Sequence, residues 1–257
     1  MKILCVGDVV GQAGLNFLAD RLPGLKRSTA ADVVIVNGEN SDKSGTGLSR
    51  TAAQEILQYA DVVTTGNHCY RRADEELYTE NPTVLHPANF PFTEDEAGCC
   101  LLDLGRLGML RVINLMGVAF MEPIDSPFKR ADELLGKTTA RFTVVDFHAE
   151  ATAEKKALGF YLDGRVSAVF GTHTHVQTAD EQVLPKGTGY ITDVGMTGPE
   201  ISVLGVAPQL AVKKQREHVP VQFKVAASPC MLNAVLFVLD DTTGLCLSAQ
   251  RIDARER

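Results

Sequence analysis

The sequence predicts an α/β protein built on a largely parallel sheet, and three observations carry that prediction. Short apolar, β-branched runs recur along the 257 residues, each closed by a glycine or a polar cluster. Helix-compatible segments lie between several of them. Residues of ligand type (Asp, Glu, Asn, His) gather just after the runs. Strands alternating with helices read as βαβ units, whose strands run parallel.

Taken in order, the first strand is Lys2–Val6, ending in G-D, followed by a helix over Gly14–Leu25. The second, Val33–Val36, ends in N-G-E-N and precedes a helix over Ser49–Tyr59, with Ser49 as N-cap. The third, Asp61–Thr65, ends in G-N-H before a helix over Arg71–Tyr78. Asn81–Cys100 has prolines at 82, 87 and 91 and no clear period, so it reads as a loop or lid. Leu110–Leu115 and Phe142–Asp146 are strands separated by a helix over Phe128–Thr138, capped by Ser126 with Pro127 at the first helical position. A helix over Thr152–Phe160 leads to strand Ala168–Phe170, and Tyr190–Thr192 follows before D-V-G. From Val219 onward, V-Q-F-K-V and N-A-V-L-F-V-L read as antiparallel additions, with D-D-T-T-G-L as a turn. No linker or repeat divides the chain, so residues 1–257 read as one domain.

Composition sets bounds. Hydrophobic residues are 45% and charged residues 22% of the chain, ordinary for a globular protein. A net charge of -7 argues against a general nucleic-acid backbone binder, which needs a basic face. No apolar stretch of about 18 residues is present, so no membrane helix is expected. The M-K-I-L-C-V-G-D start reads as a strand rather than a signal peptide. The six cysteines are scattered without C-x-x-C spacing, which fits a reduced, cytoplasmic protein, with Cys99 and Cys100 as packing residues.

The ligand-type residues sit where open α/β sheets bind, at the carboxyl ends of strands. Asp8 follows the first strand, Glu39 and Asn40 the second, Asn67 and His68 the third. His148 closes the Phe142–Asp146 run, and His173 and His175 close the next. Four of the six histidines occupy this one kind of position; His86 and His218 do not and read as loop or surface residues. Extended chain places residues two apart on one side, so His173 and His175 could meet one object. Taken singly, each residue has a plain reading: Asp8 a turn former, Asn67 a cap, His148 a satisfied core histidine, the H-x-H pair two hydrogen-bonded imidazoles. Together they form a set of carboxylate, carboxamide and imidazole suited to Fe, Mn or Zn. Two metals would need a bridging carboxylate and would suit in-line displacement at phosphorus. G-D-V-V-G-Q-A-G with Glu39 also resembles a dinucleotide fingerprint, but it lacks the tight G-x-G, and Asp8 would repel a pyrophosphate.

These residues resemble the calcineurin-like metallophosphoesterases. G-N-H stands at Gly66–His68, the lone histidine of that pattern is His148, and T-H-T-H spans Thr172–His175. The sequence departs from the usual pattern where Val9 and Val10 follow Asp8, where Glu39 and Asn40 replace G-D, and where Cys69 follows G-N-H. Those departures match the YmdB-like bacterial phosphodiesterases, as do H-P-A-N-F-P, D-F-H-A-E-A-T, G-T-H-T-H-V-Q-T-A-D and I-T-D-V-G-M-T-G-P; beyond about Leu204 the similarity is loose.

The resemblance implies a layered sandwich of two β-sheets flanked by helices and a dinuclear centre, often containing iron, with Mn, Zn or Mg as alternatives. It implies hydrolysis of phosphodiesters such as 2′,3′-cyclic nucleotides or short RNA-derived diesters. Asp8, Glu39, Asn40 and His175 would hold one metal; Glu39, Asn67, His148 and His173 the other, with Glu39 bridging. Hydroxide shared by the cations would attack phosphorus, with His68 as proton donor, oriented by a backbone carbonyl or by Asp42 or Asp193. Thr172, Thr174, Gly198 and the H-P-A-N-F-P loop are candidates for substrate contacts. With few cationic residues near these motifs, diesters are expected to turn over faster than monoesters. A small diester is the expected partner, with no membrane and room for a homo-oligomer. Two other classes stay open: a metal-binding regulatory or RNA-linked signalling protein with little turnover, and an NAD-dependent oxidoreductase.

Overall fold

The computed structural model describes residues 1–73, 75–91 and 98–256. Its strands are β1 (Lys2–Val6), β2 (Asp8–Val9), β3 (Val33–Asn37), β4 (Val62–Thr64), β5 (Val84–Leu85), β6 (Cys99–Asp103), β7 (Met109–Met116), β8 (Phe142–His148), β9 (Ala168–Thr172), β10 (Gln182–Val183), β11 (Gly189–Ile191), β12 (Met196–Pro199), β13 (Cys230–Leu239) and β14 (Cys246–Arg255). Its helices are α1 (Gly11–Thr29), α2 (Arg50–Ile56), α3 (Glu75–Glu80), α4 (Pro127–Lys137), α5 (Thr152–Leu162) and α6 (Pro208–Glu217).

The strands form two sheets. One runs β2-β12-β13-β1-β3-β4-β5, with β14 on the free side of β13; the other runs β10-β11-β9-β8-β7-β6. Each contains a parallel core, β1-β3-β4-β5 and β7-β8-β9-β11. Packing follows the two-residue period of a strand. Ile3 and Cys5 face Val112, Phe142, Val144 and Phe170 of the other sheet. Leu4 and Val6 face the opposite way and pack with Leu15, Leu18 and Ile56 of α1 and α2. The second sheet buries Ile113, Val145 and Phe147 against Leu134 and Leu158 of α4 and α5. The order is helix, sheet, sheet, helix, the layered sandwich with two sheets flanked by helices.

The predicted caps are present: Ser49 Oγ accepts from the Ala52 amide and Ser126 Oγ from the Lys129 amide. Elsewhere the structure differs from the reading of the sequence. The third helix is α3, starting at Glu75, and Arg71 and Arg72 lie in a turn. Within Asn81–Cys100, Val84–Leu85 joins the first sheet and Cys99–Cys100 opens β6, so its ends are sheet; residues 92–97 lie outside the described residues. The V-Q-F-K-V segment forms no strand, only a bridge from Val225 to Val206, because β13 is flanked by β14 on one side and by β1 and β12 on the other. α6 was not expected; only Ala211 of it is buried, so its sequence carries no apolar stripe to read.

Candidate metal centre

The carboxyl ends of both parallel cores meet at one place. Asp8, Glu39, Asn40, Asn67 and His68 arrive from the first sheet, and His148, His173 and His175 from the second. Asp8, Glu39 and His148 have no solvent exposure. The approach is close enough to require glycine at Gly66, where a Cβ would stand 2.2 Å from His148 Nε2.

Two groupings stand out. His148 Nε2 lies 3.0 Å from His173 Nδ1, 3.1 Å from Asn67 Oδ1 and 3.4 Å from Glu39 Oε1. His175 Nε2 lies 3.1 Å from Asn40 Nδ2 and 3.6 Å from Asp8 Oδ1. His68 reaches both: its Nδ1 is 2.9 Å from Asn40 Oδ1 and 3.1 Å from Glu39 Oε1, and its amide donates to the same Glu39 oxygen. Neither Asp42 nor Asp193 orients His68. Asp42 faces Ser44 and Arg72, and Asp193 pairs with Lys155.

His173 and His175 reach the centre by a different path from an extended strand. Their φ angles are 103° and 62°, a left-handed turn that costs a non-glycine residue energy and persists only where the surroundings enforce it. The His173 amide donates to Asp8 Oδ2 at 3.2 Å and the Thr174 amide to Asp193 Oδ2 at 3.0 Å. The turn sends the two imidazoles to different groupings.

The donors are not spread around a ready-made cage; among the described residues no group of three or more His, Cys, Asp or Glu side chains is so arranged. They touch one another at hydrogen-bond distance, with two asparagines interleaved. Chemistry nevertheless fits a cation. Asp8 Oδ1 and Glu39 Oε2 are buried carboxylate oxygens with no hydrogen-bond partner, and an uncompensated buried carboxylate is strongly unfavourable. Burial opposes charge on both acids. For Asp8 the close approach and charge of His175 outweigh it, and for Glu39 the charge and hydrogen bonds of His148 and His68, so both titrate below the ordinary carboxylate range. Burial likewise opposes charge on His148, but Glu39, Asp8 and Asp146 push it up to about 9. His173, desolvated beside His148, falls to about 4. A field that raises the proton affinity of an imidazole so far also favours a metal cation.

Behind the candidate ligands lies a layer that the sequence alone did not reveal. Thr172 Oγ1 donates to Asp146 Oδ1 at 2.7 Å and therefore accepts from His148 Nδ1 at 2.9 Å, which leaves the His148 Nε2 lone pair facing the centre. Asp146 also accepts from Asn37 and Thr64, and burial lifts it to about 6. Glu150 Oε2 lies 3.1 Å from His173 Nε2. Asp146 stands two residues before His148 on the same strand face, and that spacing was the available signal.

Several expected substrate contacts turn out to be structural. Thr172 is fully buried, and Gly198 in β12 packs on Val10. His86 lies in a loop, as expected, but is buried there, edge-on to Tyr78 with centroids 5.0 Å apart. Asn89 bonds both the amide and the carbonyl of Met116. His218 caps α6 with a left-handed backbone, away from the centre.

Comparison with known proteins adds the following. The family described as YmdB-like protein matches residues 4–252. A Bacillus subtilis (strain 168) protein named 2′,3′-cyclic-nucleotide 2′-phosphodiesterase is 43% identical, over 98% of this chain and 96% of its own. The crystal structure of a novel phosphatase from Mycoplasma pneumoniae superposes with a TM-score of 0.93 at 34% identity, covering 100% of this chain and 94% of that one. The calcineurin-like phosphoesterase YfkN from Bacillus subtilis shares the fold, with a TM-score of 0.53 at 10% identity over 99% of this chain and 90% of its own.

Proposed function

The chain belongs to the YmdB-like protein family, and from that premise we propose that it is a metal-dependent phosphodiesterase acting on 2′,3′-cyclic nucleotides or similarly small diesters. The observation that carries the reading is a pair of buried carboxylate oxygens without hydrogen-bond partners: Asp8 Oδ1, 3.6 Å from His175 Nε2, and Glu39 Oε2, whose sister oxygen Oε1 lies 3.1 Å from His68 Nδ1 and 3.4 Å from His148 Nε2. Asp8, Glu39, Asn40 and His175 would hold one cation, and Glu39, Asn67, His148 and His173 a second. Glu39 can serve both because a carboxylate has two oxygens. When bound, two cations supply the charge that activates water and neutralises the phosphate at neutral pH. The oxygen-rich set around Asp8 and Asn40 favours iron or manganese.

The protein's own groups then have distinct tasks. Asp146 and Thr172 fix the His148 tautomer. The His173–His175 turn presents its two imidazoles to separate positions. His68 is 22% exposed at its side chain, and its Nδ1 is held by Asn40 and Glu39. That leaves Nε2 free to give a proton to the leaving ribose oxygen.

Residues 1–257 are read as a single unit, since β13 near the carboxyl end pairs with β1 at the amino end. No helix among the described residues is long and apolar enough to cross a membrane. None of the six cysteines is paired in a disulfide with another, which supports a reducing, cytoplasmic setting.

Elemental analysis of the purified protein, coupled to hydrolysis of bis-p-nitrophenyl phosphate and a 2′,3′-cyclic nucleotide before and after chelation, tests the reading. Close to two metals per chain, with activity lost on chelation and restored by Mn or Fe, is the expected result. Metal without turnover would move the weight to a regulatory role. Faster turnover of monoesters would overturn the diester preference.

A further inference from the structure

A strip of positive charge starts at the rim of the metal centre and takes no part in it. His175 Nδ1 lies 3.1 Å from the Leu204 carbonyl oxygen, so Leu204 borders the centre, and its side chain is 47% exposed. α6 begins four residues later, at Pro208. The Ala207 amide, just before it, donates to the Lys224 carbonyl at 2.9 Å, which sets Phe223 and Lys224 beside the start of the helix. Lys213, Lys214 and Arg216 follow along α6. Four steps of chain and five of helix separate Leu204 from Lys213, a distance of no more than about 22 Å.

The strip draws little from the core. α6 buries only Ala211, and a helix without an apolar face gains little from tertiary packing. Lys213, Lys214, Arg216 and Lys224 are all exposed, and none makes an ion pair among the described residues. Glu217 is the one carboxylate between residues 205 and 230. Four cations thus stand against one anion there, in a chain whose net charge is -7. Phe223, next to Lys224, is 49% exposed.

We propose that this strip binds the single-stranded RNA that precedes a terminal 2′,3′-cyclic phosphate, so that an oligonucleotide end is a better substrate than the free nucleotide. The inference rests on the phosphodiesterase reading. With the cyclic phosphate at the metal centre, the preceding nucleotides must leave over its rim, and Leu204 is where the strip meets that rim. Cations track a phosphate backbone, and an exposed ring among them stacks a base whatever its identity. The acidic remainder of the chain confines binding to this strip. One rival explanation uses no ligand: Lys214 and Arg216 lie in the last turn of α6, where free carbonyls favour cations. It leaves Lys213, Lys224 and the exposed Phe223 without a role.

Uridine 2′,3′-cyclic phosphate and a hexauridylate ending in the same cyclic phosphate, compared as substrates of the metal-loaded protein, separate the two. The oligonucleotide should show a kcat/KM at least tenfold higher, chiefly through KM, and the advantage should shrink as salt rises. Lys213→Ala/Lys214→Ala/Arg216→Ala should remove most of it, and Phe223→Ala should raise KM for the oligonucleotide several-fold. Both should leave mononucleotide turnover within twofold of wild type, which also shows that the fold is retained. Should the triple variant fail to fold, Lys224→Glu and Phe223→Ala decide. Fluorescence anisotropy with labelled hexauridylate needs no turnover. On logarithmic axes its association constant should fall with salt at a slope of about -3 in wild type and about -1 in the triple variant. Equal kcat/KM for the two substrates, or an advantage that the triple variant keeps, would overturn the strip and favour the helix-end explanation. Hydrolysis of neither substrate would overturn the phosphodiesterase reading alone, and the anisotropy slopes then decide the strip. Equal binding of a polyglutamate peptide would overturn the nucleic-acid class.

Discussion

Lys155 of α5 holds its ammonium out of water, 2.7 Å from both the Thr172 carbonyl and Asp193 Oδ2. The two side chains are 1% and 0% exposed. Asp193 in turn accepts from the Thr174 amide with one oxygen and the Gly195 amide with the other. The ion pair therefore grips the chain immediately before and after His173, where two histidines are forced into left-handed backbone. Replacing Lys155 by Met removes one partner of a fully desolvated pair and leaves the Asp193 charge uncompensated, a change worth about 3–5 kcal/mol. For a chain of this size that corresponds to a fall in Tm of roughly 6–20 °C. The double variant Lys155→Met/Asp193→Asn removes both charges, and its loss should be well below the sum of the two single losses. Thermal and urea unfolding of the four proteins measures the coupling, and a chelator competition measures metal affinity, which should fall with the slackened turn. If Lys155→Met loses less than about 1 kcal/mol, or if the two losses simply add, the pair does not hold the turn.

Three further outcomes follow from the geometry. His68→Ala should lose roughly 10²–10⁴ in kcat with metal content kept, whereas Glu39→Ala should lose metal itself; elemental analysis beside turnover distinguishes them, and an unchanged rate in the first variant removes His68 from the chemistry. Thr172→Val keeps shape but releases the His148 tautomer, so metal affinity should drop about 10–100-fold; an unaltered affinity in chelator competition would refute the tautomer argument. In metal-free protein His148 titrates near 9, above its ordinary value of 6.5, so its stabilising charge is fully present below about pH 6.5 and is lost as pH rises toward 9. The melting temperature of chelated protein should decline across that window, and a rising one would contradict the assignment.

The ends of the strands were legible because a parallel strand buried on both faces reads as an unbroken apolar run, and its polar break is abrupt. Val33–Val36 stopping at N-G-E-N, or Ala168–Phe170 stopping at G-T-H-T-H, locates the ligand types without any knowledge of the sheet. The same property hid the second sheet. In Lys2–Val6 the residues facing the partner sheet, Ile3 and Cys5, are no different in kind from Leu4 and Val6, which face helices. An apolar run shows that a strand is covered but not by what. The orientation of His68 was out of reach for another reason, since its partners Asn40 and Glu39 lie nearly thirty residues away and meet it only through the fold.

Charged residues inside apolar patterns carried a signal that was there to be read. The buried positions of α5 are Lys155, Leu158, Gly159 and Leu162, the i, i+3, i+4, i+7 face of a helix. Lys156, one residue away, is 45% exposed and pairs with Asp180. Local composition does not distinguish the two lysines, but the period does: only Lys155 falls on the buried face, and a charge there must find a partner. Arg111, set within M-L-R-V-I-N-L-M among otherwise buried residues of β7, is the same kind of mark on a strand. In both places the break in the pattern, rather than the pattern, points to the group whose charge the fold has to answer. For Lys155 that answer is Asp193. For Arg111, whose Nη2 has no hydrogen-bond partner, no ion pair is present among the described residues.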